Sequence, residues 1–381
     1  MLKENFFVEA TDEIVELYNQ YTDSIIKKMA YEIKALGKLT DIERQAKLVM
    51  SANVVYDDMV SKLAKLMRYS KSDVKKILKN AGVTTLKYDD AIYKRVGYNP
   101  APINQSPTML QILSSSAMST DYVLENLVKT SAIATSNNFY NVMNEAHLRV
   151  ATGAVDYNTA IKDAIKQLAT YGTIIEYPTG VKTQLDNMVR RAVLTSVKNV
   201  SNSLQETRAD EFQAPFADTS AHSGARPTHA EWQGKRFCRY GSSRNGTGKY
   251  PNFYEDNFGK ENKPVFEQLH DPNCRHSWYP VMSDEEPLAY NKEEIDNINN
   301  RVVTDHNGKK YTFYDAEQRL RSMERTVRKY KRQANALEIA GLDNSFELAK
   351  VKKWQKEIRL FTSAVGQEGL TRRSFNERVF Y

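Results

Sequence analysis

Four of the six histidines, both cysteines and two of the three tryptophans of this 381-residue chain fall between Ser220 and Pro280. One run reads His222-Ser-Gly-Ala-Arg226-Pro-Thr-His229-Ala-Glu231-Trp232-Gln233-Gly234, and a second reads Leu269-His270-Asp-Pro-Asn-Cys274-Arg275-His276-Ser-Trp278-Tyr-Pro280. These residue types bind metals, stack and move protons, so three chemistries arise. In the first, Cys238, His270, Cys274 and His276 supply four ligands to zinc, with His222 or His229 in reserve. The Cys-x-His spacing suits one tight loop, although the stronger Cys-x-x-Cys knuckle is absent. In the second, His222, Arg226 and His229 hold loops together by hydrogen bonds, and Cys274 is a small buried hydrophobe. In the third, His222 or His229 beside Glu231 acts as a general base while Arg226 or Arg275 holds an anionic substrate. No Gly-x-Ser-x-Gly, Walker loop, Rossmann fingerprint or His-Glu-x-x-His helix accompanies that last reading.

The elements around this window read as mainly α. Ile14, Leu17, Tyr18, Tyr21, Ile25, Met29, Ile33 and Leu36 recur at helical steps, with Asp12 and Glu13 at the start and Gly37 as the stop. Ser72 is expected to cap a short helix that ends at Gly82. The Pro- and Gly-rich stretch 97–107 is a linker, so residues 1–100 form a helical N-terminal region. Helices resume over 108–169, then a strand at 173–177 and a turn at Pro178–Gly180. A long helix follows from Thr183 to Phe212 on the stripe Leu185, Val189, Val193, Val197, Val200 and Leu204. It completes a second helical region, 101–213. Arg190 and Arg191 sit near its positive end, a misfit that hints at a partner for at least one of them, although a plain exposed pair is the commoner arrangement. Residues 214–300 lose helical periodicity and form a small, loop-rich α+β module. Asn307-Gly308 predicts a hairpin with a tight primed turn. Residues 301–381 then carry this hairpin and an antiparallel coiled-coil hairpin. Its seams are Leu320, Met323, Val327, Tyr330, Ala334 and Leu337, then Val351, Trp354, Ile358 and Phe361.

Length implies two or three folding units, and composition is ordinary for a globular chain. No apolar run is long enough to span a membrane. The first residues lack a signal-peptide pattern, so folding in a cytoplasm is expected. Two cysteines exclude a disulfide framework. The net charge of +7 is concentrated from Lys309 to Tyr381, where 17 Lys and Arg face 9 Asp and Glu. Arg319, Arg321, Arg325, Arg328, Lys329, Lys331 and Arg332 share one helix. They are expected to contact packaged double-stranded DNA or an acidic partner, without reading base sequence.

The first run closely resembles the signature of the phage minor capsid protein 2 family, from tailed phages of Gram-positive hosts. That signature is essentially His-x-Gly-Ala-Arg-Pro-x-His-x-x-Trp-Gln-Gly. Asn273-Cys274-Arg275-His276, followed by an aromatic residue and Pro280, matches a second family element. Residues 184–195 resemble the helix before the signature, and residues 311–325 the start of the coiled coil. His270-Asp-Pro-Asn-Cys-Arg is also similar to an element of Mu-F-like head morphogenesis proteins. The family usually has a Gly-rich stretch with another cysteine before Asn-Cys-Arg-His, where this chain has Phe266 to Pro272. The resemblance implies a virion protein of the phage head without settled enzymatic activity. It further implies association with the portal and a part in head morphogenesis, DNA packaging or delivery. The implied partners are the portal protein, the major capsid protein, sister copies and packaged DNA. The competing class is a metal-dependent hydrolase or nuclease built on the His/Cys/Arg module.

Overall fold

The computed structural model describes residues 4–36, 41–176, 180, 182–241, 249–271, 273–366, 369–370 and 372–380. Its body is helical. Helices α1 (Glu4–Leu36), α2 (Asp41–Arg95), α3 (Pro107–Ala151), α4 (Tyr157–Tyr171) and α5 (Leu185–Glu211) pack into one core. The amphipathic stripe of α1 faces inward through Ile14, Tyr18, Ile25, Met29 and Ile33, all buried. The six apolar residues of the α5 stripe are completely buried, so α5 is the central rod. A two-stranded hairpin, β1 (Ile174–Glu176) and β2 (Lys182–Gln184), joins α4 to α5. Gly37, and Pro178 and Thr179 of the expected turn, lie outside the described residues.

Two local expectations in this region are corrected. Ser72 starts no helix and Gly82 ends none, because α2 runs unbroken through both. At Gly82 the missing side chain admits α5, since a Cβ there would sit 2.5 Å from Leu204 Cδ1. Asp12 and Glu13 lie inside α1 and not at its start. Asp12 instead pairs with Arg190 of α5 at 3.3 Å, the acidic partner that the helix-start arginines lacked. The 97–107 connection does contain a short 3₁₀ turn and ends at Ser106, whose Oγ accepts the Met109 amide to cap α3. The core nevertheless continues across it from α2 to α3.

The module forms a second core around Trp232, Phe237, Phe253 and Trp278. Its sheet has the order β4 (Arg236–Cys238), β3 (Phe216–Thr219), β7 (Trp278–Val281), all antiparallel. Beside it lie the short pair β5 (Asn257–Phe258) and β6 (Lys263–Pro264), then α6 (Val265–Leu269) and α7 (Lys292–Asn299). Strands β8 (Val302–Thr304) and β9 (Lys310–Thr312) form the expected hairpin. Its turn is not a primed two-residue turn. Only Gly308 takes a positive φ, and Asp305 closes a longer loop by accepting the Asn307 and Lys309 amides.

Helix α8 (Phe313–Ala340) and helix α9 (Ser345–Val365) follow as an antiparallel pair, and the expected seam residues share one core except Ala334 and Leu337, the latter buried in the core of the helical body. The pair does not stand away from the body, because α8 also packs along α1 and α4. Arg332 Nε meets Asp23 Oδ1 of α1 at 2.6 Å, and Arg328 Nη1 meets Asp186 Oδ2 of α5 at 2.9 Å. All four side chains are buried. Removing one member of such a pair strands a charge away from water, which costs about 3–5 kcal/mol. Arg332→Met should therefore destabilise by that amount in chemical denaturation. The double change Asp23→Leu with Arg332→Met should recover most of the loss. A single-variant loss of well under about 1 kcal/mol would show the pair to be solvent-screened.

Candidate functional site

The two sequence runs meet where the module abuts α5 and α8. The loop from His222 to Gly234 follows β3, and the Cys274–His276 segment leads into β7, so pairing of β3 with β7 brings them together. The His222 and His276 rings stack with centroids 4.3 Å apart, and Trp232 lies 4.7 Å from His276. His229 packs between Trp232 and His276 at 4.9 and 5.5 Å.

Gln233 is the joint of this cluster. Its Oε1 accepts the His222 amide at 2.9 Å, and a backbone N–H can only donate, so the orientation of the carboxamide is fixed. The same oxygen lies 2.9 Å from His276 Nε2, which places the His276 proton on Nε2. Nδ1 of His276 is then left facing Cys274 Sγ at 3.6 Å. Gln233 Nε2 donates to Asn299 Oδ1 at 2.6 Å, and Asn299 donates to the Ala230 carbonyl. One glutamine thus ties the first run, the second run and α7. Trp232 Nε1 donates to Gln268 Oε1 at 2.7 Å, and Gln268 holds the β5–β6 loop through the carbonyls of Phe258 and Lys263.

Burial pushes His276 well below the usual imidazole range, and burial together with Arg275 brings His222 to about 3. Both rings are neutral near pH 7. Cys274 is different. Burial raises its thiol, but the Lys198 ammonium and His229 outweigh this and bring it down to about 7. Lys198 comes from α5, is itself buried, and donates to Cys274 Sγ at 3.2 Å and to the Leu269 carbonyl at 2.8 Å. Arg275 reaches α8, where it forms a two-pronged pair with Glu317 at 3.0 and 2.7 Å. Gly224 makes room for this pair, since a Cβ there would lie 2.6 Å from Arg275 Nη2. Gly234 has φ +70°, and a Cβ would collide with Ile295 of α7 at 2.1 Å. Gly234 is therefore required by its left-handed backbone, while Gly224 leaves room for the Arg275–Glu317 pair.

A family model described as phage minor capsid protein 2 matches residues 2–363. The chain belongs to the phage minor capsid protein 2 family. It is accordingly a virion protein that works among other phage structural proteins. No curated protein and no solved structure matches it.

In this capsid protein the eight signature residues do not all play equal parts. His222, His229, Trp232, Gln233, Cys274 and His276 share one cluster. Arg226 and Arg275 flank it, Arg226 facing Asp271 at 3.8 Å. The zinc quartet read from the sequence is not assembled. Cys238 Sγ sits among the carbonyls of Gly241, Tyr250 and Pro251. His270 donates from Nδ1 to the Phe266 carbonyl and accepts from Asn202 at Nε2. Among the described residues the buried donors that converge are His229, Cys274 and His276, within 4.8 Å of one another. A closed structural zinc site asks for four ligands. Here the cation set against the sulfur is the Lys198 ammonium, so these residues do not fit such a site. Lys198, Gln268, Asp271 and Glu317 were not singled out from sequence. Each is an ordinary residue of a helix or turn, and only long-range contact gives it a role.

For two of its seven residues the reading of the basic helix is corrected too. Arg328 and Arg332 are buried and face Asp186 and Asp23, so neither is presented to DNA. Arg321 chelates Glu324 at 2.7 Å, and Arg319 and Lys329 lie over the rings of Trp354 and Tyr330.

Two outcomes follow from this geometry. Gln233→Leu should destabilise by about 1–3 kcal/mol, because it leaves buried partners unsatisfied. A change within about 0.5 kcal/mol in denaturant melts would remove the joint from the account. Metal analysis of protein purified without chelators should find far less than one zinc per chain. A content of about one would show that zinc displaces Lys198 from the sulfur.

Proposed function

We propose that this capsid protein is a structural and interaction component of the portal vertex, acting in head morphogenesis, DNA packaging or delivery. The observation that carries the reading is the use of the signature residues as joints. Gln233 ties three segments of the module, Lys198 ties α5 to the Cys274 loop, and Arg275 ties the module to α8. Residues rich in reactive chemistry hold elements in register, as a scaffold requires. A metal-dependent hydrolase or nuclease would need an open coordination position on a metal. In the buried His229, Cys274 and His276 trio, the Cys274 sulfur accepts from the Lys198 ammonium instead.

The docking surface proposed for the portal lies on α3. Met118 and Tyr122 are 69% and 68% exposed and stand one turn apart on the same face. Large apolar side chains so exposed suit a protein contact. The α1–α2 region belongs to the same core as α5, so its removal would dismantle the body and test nothing about docking. Point changes are the proper probe. Co-expression with the portal should give co-purification of the full-length chain. Met118→Asp with Tyr122→Asp should lower recovery at least about tenfold with an unchanged melting temperature. Failure of the unaltered chain to associate with portal or procapsid would reject portal docking. Undiminished recovery of the double variant would move the contact to another face.

A further inference from the structure

A cavity of about 350 Å³ lies between α5, the module, α8 and the C-terminal segment. Arg190 of α5 and Arg226 and Arg275 of the module line it. Arg321, Arg325 and Arg328 of α8 line it as well, and Arg373 completes the ring. Glu317 is the one carboxylate among the described lining residues. We propose that this arginine-lined cavity binds a phosphoryl anion.

The charge balance around the cavity supports an anionic occupant. Close carboxylate partners of these arginines include Asp12, Asp186, Asp271, Glu317 and Glu324. Among the described lining residues themselves, seven guanidiniums stand against the one carboxylate of Glu317. Glu317 is shared by Arg275 at 2.7 Å and Arg373 at 3.4 Å, so one charge serves two cations. Arg325 lies beside Glu324 without a close ion pair, and Glu324 is already held by Arg321, the Arg373 amide and Asn376. Burial, with Arg321, Arg190 and Arg275 nearby, lowers Arg373 to about 10. Cations so crowded raise the free energy of one another, and an anion between them relieves it.

The chemistry of the lining selects phosphate. A guanidinium offers paired N–H donors that match two phosphoryl oxygens, and a phosphoryl group carries the negative charge that a lining dominated by guanidiniums favours. Asn187, Gln318 and Asn376 add uncharged polar groups to the same lining. The volume exceeds that of a single chloride and accommodates phosphate or pyrophosphate. Such a group is available as a free phosphate compound or as a terminal phosphate of DNA.

The test uses the full-length chain and inorganic pyrophosphate, with sodium chloride added to equal ionic strength in every sample. Calorimetric titration should show saturable binding, and the melting temperature should rise with pyrophosphate concentration. Arg325→Gln removes the arginine without a close ion pair and should weaken binding about tenfold or more. Gln318→Glu places a carboxylate in the exposed part of the lining without removing any arginine and should weaken binding similarly. This second variant keeps the test decisive if Arg325→Gln folds poorly. Displacement of pyrophosphate by a 5′-phosphorylated duplex, but not by its dephosphorylated twin, assigns the source to a DNA end. Binding without displacement by either duplex assigns it to a free phosphate compound. No saturable binding above the chloride control, or unchanged affinity in both folded variants, overturns the proposal.

Discussion

Arg328 and Arg332 reach from one face of α8 into the helical body, where Asp186 and Asp23 meet them. Much of the architecture depends on that arrangement. Desolvating two ion pairs offsets most of their mutual attraction, so they add little net stability over apolar residues of similar shape. What they do impose is position. A buried guanidinium tolerates only the register that brings a carboxylate and polar neighbours to its donors. Arg328 also donates to Asn19, and Arg332 to Gln184. The second oxygen of Asp23 accepts the Phe380 amide, so the end of the described chain is clamped at the same place. Slippage of α8 by one turn along α1 would leave two cations and two anions buried without partners.

With α8 fixed, the module has an anchor. Glu317, four residues into that helix, receives both prongs of Arg275. Arg275 adjoins Cys274 and His276, so the second signature run is set relative to α8. Lys198 then sets it relative to α5. Gln233 passes the placement on to the first run and to α7. The three cores are thereby joined by polar contacts and also by shared apolar residues, with Tyr93 of α2 and Ala209 of α5 in the module core and Leu337 of α8 in that of the body. A body built this way is stiff, which suits a protein that must hold its place among others in a capsid.

The helices were legible in the sequence wherever apolar residues repeated at three and four. The α5 stripe and the α8–α9 seam are buried where periodicity placed them, because that pattern reports burial directly. Punctuation was less reliable. Gly82 looks like a helix end in isolation, yet close approach of Leu204 explains it without any break. Asn307-Gly308 marked the hairpin correctly, but Asp305 selects a longer loop by capping it. The signature run announced a cluster, since so many histidines and aromatics in one loop-rich stretch need common burial. Its wiring was not legible. Lys198 stands 76 residues from Cys274, and nothing in its own helix distinguishes it from a surface lysine. The same limit applies to α8, where seven basic residues in sequence look like one charged face. Helical geometry distributes them around the rod, and acidic residues from α1 and α5 take two of them inside.

The central claim is that α8 is an internal post of the body and not a free basic arm. Native-state amide hydrogen exchange of the full-length protein tests this most directly. Amides in the middle of α8 should exchange as slowly as those in the middle of α5, and only through global unfolding. Exchange of α8 and α9 together as a separate unit, with an opening free energy well below that of α5, would contradict the account.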